Sequence, residues 1–246
     1  MVHSPDGGLI WTRPEPGVRK PRFSREKLAA AALEVADAEG LEAVSMRRVA
    51  AELGAATMTL YNYVRTRDDL LALMHDAILG EVLVPAEALP QGWREAVTLI
   101  AGRVRAALVR HPWAIGALQE VQPGPNAMRR FEQFLAAVSG SGLSTAQKFD
   151  LLTAVNSYVF GNVLITVESR GRAEIAAADP ALVAEISAFA AELMEGGGFP
   201  HTTALLAEAR EGRPPAPPLD EQGLEEQFRR GLAALLDGLA ADFTGC

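Results

Sequence analysis

The chain predicts an all-α protein, and three observations carry that expectation. Apolar residues recur at three- and four-residue spacing through most of its 246 residues. No run of period-two alternation is flanked by hairpin turn chemistry, which disfavours a sheet. Helix punctuation, a serine before a periodic run and a glycine after it, occurs twice near the N-terminus. Hydrophobic residues make up 49% of the chain, enough to bury a sizeable core.

The elements follow in order. Residues 1–22 hold four prolines, several glycines and the basic cluster Gly17-Val18-Arg19-Lys20-Pro21-Arg22, the composition of an extended basic arm. Ser24 caps a helix through Glu39, with Leu28, Ala32 and Val35 on one face and Gly40 as its stop. Ser45 caps a second, with Met46, Val49, Ala50 and Leu53 inward and Gly54 behind it. A third runs from Thr57 to Val64, and a fourth from Arg67 to Val84 with Leu70, Met74 and Ile78 on one face. Pro85 and Pro90 then break the pattern. Further helices are expected over 92–110, 113–121, 126–139, 144–170, 180–195 and 221–243, with a stiff Pro-rich connector over 211–219.

Charge narrows the function. The chain carries 23 basic and 31 acidic residues, a net charge of −8, which argues against a surface generally coated in nucleic acid. The balance is local, however. Residues 18–67 hold nine basic residues (Arg19, Lys20, Arg22, Arg25, Lys27, Arg47, Arg48, Arg65, Arg67) against six acidic ones (Glu26, Glu34, Asp37, Glu39, Glu42, Glu52), so this segment is about +3. The single cysteine, Cys246, has no partner for a disulfide or a metal site, and no leader or membrane-length apolar run is evident; the expectation is a cytoplasmic protein.

Residues 45–64 have helix-turn-helix grammar. Val49, Ala50, Leu53, Leu60 and Val64 can share one small core, which leaves Thr57, Met58, Thr59, Tyr61, Asn62 and Tyr63 at or near the outside. Hydroxyl, amide and methyl groups of that kind reach phosphates and base edges, while Arg47, Arg48, Arg65 and Arg67 supply charge from the sides. An ordinary αα-hairpin in a helical bundle has the same period and glycine.

The longer string separates the two. Residues 23–74, "FSREKLAAAALEVADAEGLEAVSMRRVAAELGAATMTLYNYVRTRDDLLALM", resemble the N-terminal domain of the TetR family of transcriptional regulators, in register across three helix boundaries. The resemblance implies a base-reading role for Arg47 and recognition-helix roles for Thr57, Met58, Thr59, Asn62 and Tyr63. It also implies phosphate contacts for Tyr61 and Arg67. The arm has two readings, a protease-sensitive tail or a minor-groove contact through Arg19, Lys20 and Arg22.

The C-terminal part carries a last helix with Leu224, Phe228, Leu232, Leu235, Leu239 and Phe243 at helical spacing. It resembles the last helix of the TetR-type C-terminal domain, which implies a homodimer interface through Phe228, Leu232, Leu235 and Leu239. Trp113, Phe131, Phe134, Phe149, Asn156 and Phe160 mix apolar bodies with polar tips and are candidates to line a cavity for a small apolar or aromatic effector. Any one of them is equally at home in an ordinary core.

Enzyme chemistry finds no foothold. The serines lack a G-x-S-x-G elbow, and the four histidines (3, 75, 111 and 201) form no metal-ligand spacing. No cofactor, metal or membrane partner is expected. The domain expectation is an arm (1–22), a three-helix helix-turn-helix DNA-binding domain (23–66), a connecting helix (67–84) and a larger helical ligand-binding and dimerisation domain (85–246). The functional expectation is a repressor that binds a palindromic operator in double-stranded DNA as a homodimer and is released by a small molecule. A helical ligand carrier or interaction module with a vestigial DNA-binding head is the competing class.

Overall fold

Ser24 and Ser45 act where their positions suggest. Ser24 Oγ accepts from Lys27 N at 3.2 Å and starts α1 (Arg25–Glu39); Ser45 Oγ accepts from Arg48 N at 3.2 Å and starts α2 (Met46–Glu52). Gly40 and Gly54 close these helices at φ of +85° and +59°, a backbone conformation that other residues resist. Thr66 caps α4 (Arg67–Glu81) in the same way, its Oγ1 accepting from Asp69 N at 3.1 Å. The coordinates are a computed structural model that describes residues 8–16, 22–117, 123–210 and 220–244.

Between α2 and α4 lies α3 (Thr57–Leu60), shorter than the period suggests. Asn62 N bonds Thr59 O and Tyr63 N bonds Leu60 O, three-residue closures that tighten the helix into a turn before Val64. Beyond α4 come α5 (Trp93–Arg110), α6 (Ala114–Ala117), α7 (Pro125–Ala137), α8 (Thr145–Ala178), α9 (Pro180–Glu195), α10 (Pro200–Arg210) and α11 (Glu221–Thr244). Two departures from expectation stand out: α8 continues past residue 170 to Ala178, and α10 has no counterpart among the expected helices. Among the described residues there is no strand. The expected connector at 211–219 lies outside them.

Two compact units form: the chain up to Val163 together with residues from Leu239 on, and residues 164–238. In the first, α1 packs on α2 and α4, α4 packs on α5 and α7, and α5 packs on α7. Leu28, Val35, Val49, Leu60, Val64, Leu70 and Met74 are fully buried there. By length and composition alone α8 is apolar enough to cross a membrane. The same apolarity suits a core helix, and it buries Leu151, Val155, Val159 and Val163 at four-residue spacing.

In the second unit, Arg170 pairs with Glu221 at 2.5 Å and α9 packs against α10. Here the structure corrects the reading of the last helix. Phe228 and Leu232, expected at a dimer interface, are buried inside the single chain along with Leu224 and Leu236. Leu235 is half-buried, and Leu239, in the first unit, is half-buried too. A stripe of period near four is apolar whichever surface it meets, so spacing alone could not tell core from interface.

The arm is corrected as well. Residues 10–12 form a 3-10 turn rather than extended chain, and Ile10 is buried. Arg13 pairs with Asp69 at the start of α4. The Arg25 guanidinium reaches back to Ile10 O at 3.0 Å and Arg13 O at 2.9 Å, and Glu15 Oε1 accepts from Arg25 N at 2.6 Å. These bonds tie the segment to α1 and α4.

Candidate DNA-reading surface and effector cavity

The reading surface is built from a small core outward. Buried Val49, Ala50, Leu60 and Val64 lock α2 to α3, and the bond from Ala55 N to Ala50 O at 2.8 Å closes the turn between them. Arg47, Tyr61, Asn62 and Arg67 then lie exposed, Met58 projects with 74% of its surface free, and Thr57 and Thr59 are half-exposed. An apolar side chain held so far into solvent is suited to a thymine methyl. Tyr63 corrects the expectation. It is only 8% exposed, because the turn that ends α3 rolls its ring under the head.

The arginines differ in their freedom. Arg48 is occupied by Glu39 at 2.6 Å and Glu52 at 2.8 Å, and those two bonds raise its pKa further. Arg67 makes one long contact, to Leu41 O at 3.4 Å. Arg22 Nη2 bonds Gly54 O at 3.3 Å, beside the turn, while Arg19 and Lys20 lie outside the described residues. Arg25, counted in the sequence only as charge, is a half-buried clamp: its Nε also bonds Tyr63 O at 3.2 Å, and burial lowers its pKa.

The cavity lies in the first unit among α5, α7 and α8. Ile100 and Val104 from α5, Phe131 and Phe134 from α7, and Val155 and Asn156 from α8 line it. Of the expected residues, Phe131, Phe134 and Asn156 are brought together. Phe149 is not in the wall; it is 51% exposed, with its ring 6.1 Å from that of Phe131. Phe160, half-buried on α8, is also absent from the wall. Trp113 is elsewhere: its Nε1 donates to Asp37 Oδ1 of α1 at 2.8 Å, beside the His111 Nδ1 contact to the same oxygen at 2.7 Å. It braces the head rather than lining a cavity.

One wall residue escaped the sequence reading. Arg130 lines the cavity, with Nη2 on Asn156 Oδ1 at 2.7 Å, and burial lowers its pKa. Its adjacency to Phe131 and its place one helical turn before Phe134 were the available signal.

Helix α7 also holds α4. Asp76 on α4 is buried, and its Oδ1 accepts from Asn126 N at 2.8 Å and Ala127 N at 3.3 Å, capping α7 from a different helix. Burial raises the Asp76 pKa, and the two backbone bonds partly offset that. Asn126 Nδ2 returns a bond to Asp76 O at 2.9 Å. Two turns further along the same face, Gln133 bonds Val84, just past the end of α4, through both its donor and its acceptor, at 2.6 and 3.2 Å. Gly124 permits the clasp, since a Cβ there would collide with Asp76 Oδ1 and sit 2.5 Å from the Trp11 ring.

This division into head, linking helix and cavity-bearing core has counterparts among known proteins. Residues 28–74 match the description "Bacterial regulatory proteins, tetR family", and residues 85–243 match "Tetracyclin repressor-like, C-terminal domain". The chain belongs to the TetR family. An HTH-type transcriptional regulator of Saccharopolyspora erythraea is 40% identical over 159 residues, 63% of this chain and 66% of that protein. The HTH-type transcriptional repressor DrrR1 of Streptomyces coeruleorubidus is 39% identical over 158 residues, 62% of this chain and 58% of that protein. The matches thus span less than two thirds of either relative. The crystal structure of the Streptomyces coelicolor TetR family protein ActR in complex with actinorhodin is similar at a TM-score of 0.65 and 28% identity, over 90% of this chain and 97% of that one. The first two of these relatives carry the names of transcriptional regulators.

Proposed function

We propose that this TetR-family chain is a ligand-responsive transcriptional repressor that acts in the cytoplasm. It binds a palindromic operator as a homodimer and is released by a small molecule in the α5–α7–α8 cavity. The observation that carries the reading is the double duty of α7. Phe131 and Phe134 face the cavity, while Asn126 on the same helix grips α4 at Asp76 and Gln133 holds Val84 just beyond the end of α4. An effector that displaces α7 pulls on α4, which leads directly into the reading head. Occupancy and operator binding are then coupled through one rigid element, provided the effector has unequal affinity for the two states.

In this reading Arg47, Thr57, Met58, Thr59 and Asn62 contact base edges, while Tyr61 and Arg67 hold phosphates. Arg22, with Arg19 and Lys20, adds charge beside the groove. The dimer is supported by apolar surface in the second unit. Leu182, Val183, Ile186, Phe189 and Leu193 of α9 form an exposed helical stripe, and Leu164 and Ile165 of α8 are exposed as well. A contiguous apolar surface of this kind marks an association site, and a two-fold pair presents two recognition helices to a palindrome. That DrrR1 is a repressor and that ActR forms a complex with actinorhodin agree with the reading.

The test is a mobility shift on the DNA upstream of the protein's own coding sequence. Wild type should give a specific shift, and the double variant Arg47→Ala, Tyr61→Phe should abolish it. A double variant that binds as wild type defeats the assignment of the head. A ligand that binds tightly without loosening the operator complex defeats the coupling and favours a carrier.

A further inference from the structure

Arg129 and Arg130 are adjacent in sequence and opposite in circumstance. Arg129 is exposed, with Nη1 on Asn126 Oδ1 at 2.7 Å. Arg130 turns into the cavity wall between α7 and α8. Its Nη2 donates to Asn156 Oδ1 at 2.7 Å, and its Nε is enclosed without an acceptor. Among the described residues no carboxylate pairs with it. A guanidinium has five N–H donors in a fixed fork, no acceptor, and stays protonated inside proteins. The guanidinium is half-buried and enclosed at Nε, and its charge has no carboxylate beside it.

Asn156 points in the same direction. Only its carbonyl oxygen can face a guanidinium, so its amide N–H₂ remains as a further donor on that wall. The rest of the lining is apolar: valine, isoleucine, leucine and alanine, with Phe131 and Phe134. The wall therefore offers donors on one side and hydrocarbon everywhere else, and no wall residue supplies negative charge.

We propose that the cavity takes an apolar molecule bearing one acidic oxygen group, a carboxylate or an ionised phenol, seated on the Arg130 fork. This rests on the reading of the cavity as the effector site, and narrows its occupant from an apolar molecule to an apolar organic anion. A neutral molecule of the same shape leaves Arg130 without a counter-charge, and a cation is repelled. Two bonds to a rigid fork also fix the orientation of the body between the phenylalanines. The seat is one helical turn beyond Asn126, on the helix that grips α4. The anion thus acts where displacement is transmitted.

The compounds that test this are 2-naphthoate and its neutral isostere 2-naphthamide, titrated calorimetrically into the full-length chain. Wild type should bind the carboxylate at least about tenfold more tightly, equivalent to about 1.4 kcal/mol. Arg130→Met should erase that preference while keeping 2-naphthamide within about threefold of wild type, and Arg130→Lys should restore part of it. Ala101→Trp, which fills the cavity from α5, should remove both. If wild type and Arg130→Met bind the two compounds alike, and Ala101→Trp binds neither, the anion seat is wrong and the effector cavity stands. If neither compound binds wild type, or Ala101→Trp binds both normally, the cavity reading fails and the anion seat with it. Should Arg130→Met not fold, the wild-type pair decides: equal affinities overturn the proposal.

Discussion

The carboxylate of Asp76 caps a helix other than its own, and its burial sets a sign that can be measured. Its pKa is raised in the folded chain, chiefly by desolvation. The folded state therefore holds this proton more firmly than the unfolded one. The resulting penalty is absent below the ordinary carboxylate value and sets in as pH rises through the folded value. Asp76→Asn keeps an acceptor for Asn126 N and Ala127 N without the charge, so in urea unfolding at pH 7 it should be no less stable than wild type. Asp76→Ala leaves two buried donors unmet and should lose about 1–3 kcal/mol. His75, the preceding residue, carries the opposite shift: its pKa is lowered by desolvation first and by the nearby Arg130 charge second. The unfolded chain takes up this proton near pH 6.5 and the folded chain only at lower pH, so stability should fall as pH drops through that range. Chemical denaturation between pH 7.5 and 5 should give a steeper loss for wild type than for His75→Gln. Equal slopes would show that His75 is not desolvated.

At the scale of elements, the segment around Ile10 is the part that composition misjudged. Proline and glycine content describes a chain without its own hydrogen bonds, but it says nothing of bonds supplied from outside. Here Arg25, Asp69 and the hydrophobic seat of Ile10 supply them. Ile10→Ala should therefore cost about 2–5 kcal/mol in thermal or urea unfolding, as a core truncation does. A tail would show no change. The same segment separates two contributions to operator binding. A chain starting at Pro21 should be less stable, because Ile10 and Arg13 no longer anchor α1 and α4. Its operator affinity should also depend less steeply on salt if Arg19 and Lys20 meet phosphates, by about 0.9 in slope for each phosphate they neutralise. The starts of α1 and α2 were legible because caps are local chemistry: Ser24 and Ser45 each hold the N–H three residues on. The short α3 was not, since Tyr61-Asn62-Tyr63 has the period of a helix and only its packing makes it a turn.

At the scale of the molecule, the exposed stripe on α9 makes its own prediction. Ile186 and Phe189 are 59% and 61% exposed, more than an isolated soluble helix tolerates along a continuous face. The variant Ile186→Glu, Phe189→Glu should shift the protein from dimer to monomer in sedimentation velocity and weaken the operator shift with it. A double variant that sediments as wild type would remove α9 from the association surface. Phe228 and Leu232 predict differently: being buried within one chain, their truncation should lower the unfolding temperature at every protein concentration.

Much of this molecule is written locally. The helix periods, the capping residues, the glycine stops and the string from Phe23 to Met74 determined the all-α class, the helix-turn-helix and the family, because each depends on residues within a few positions of one another. Tertiary structure decided everything that depends on which way a side chain turns. It placed Tyr63 under the head and Met58 outside it, Phe228 in a core, Trp113 on Asp37, and Phe131, Phe134 and Asn156 around one cavity. It also turned Arg130 inward and left Arg129 in solvent. A period of three or four residues names a face without naming what the face meets. Only the packing of α4 and α7 about Asp76 and Gly124 made one helix both the wall of a cavity and the grip on α4.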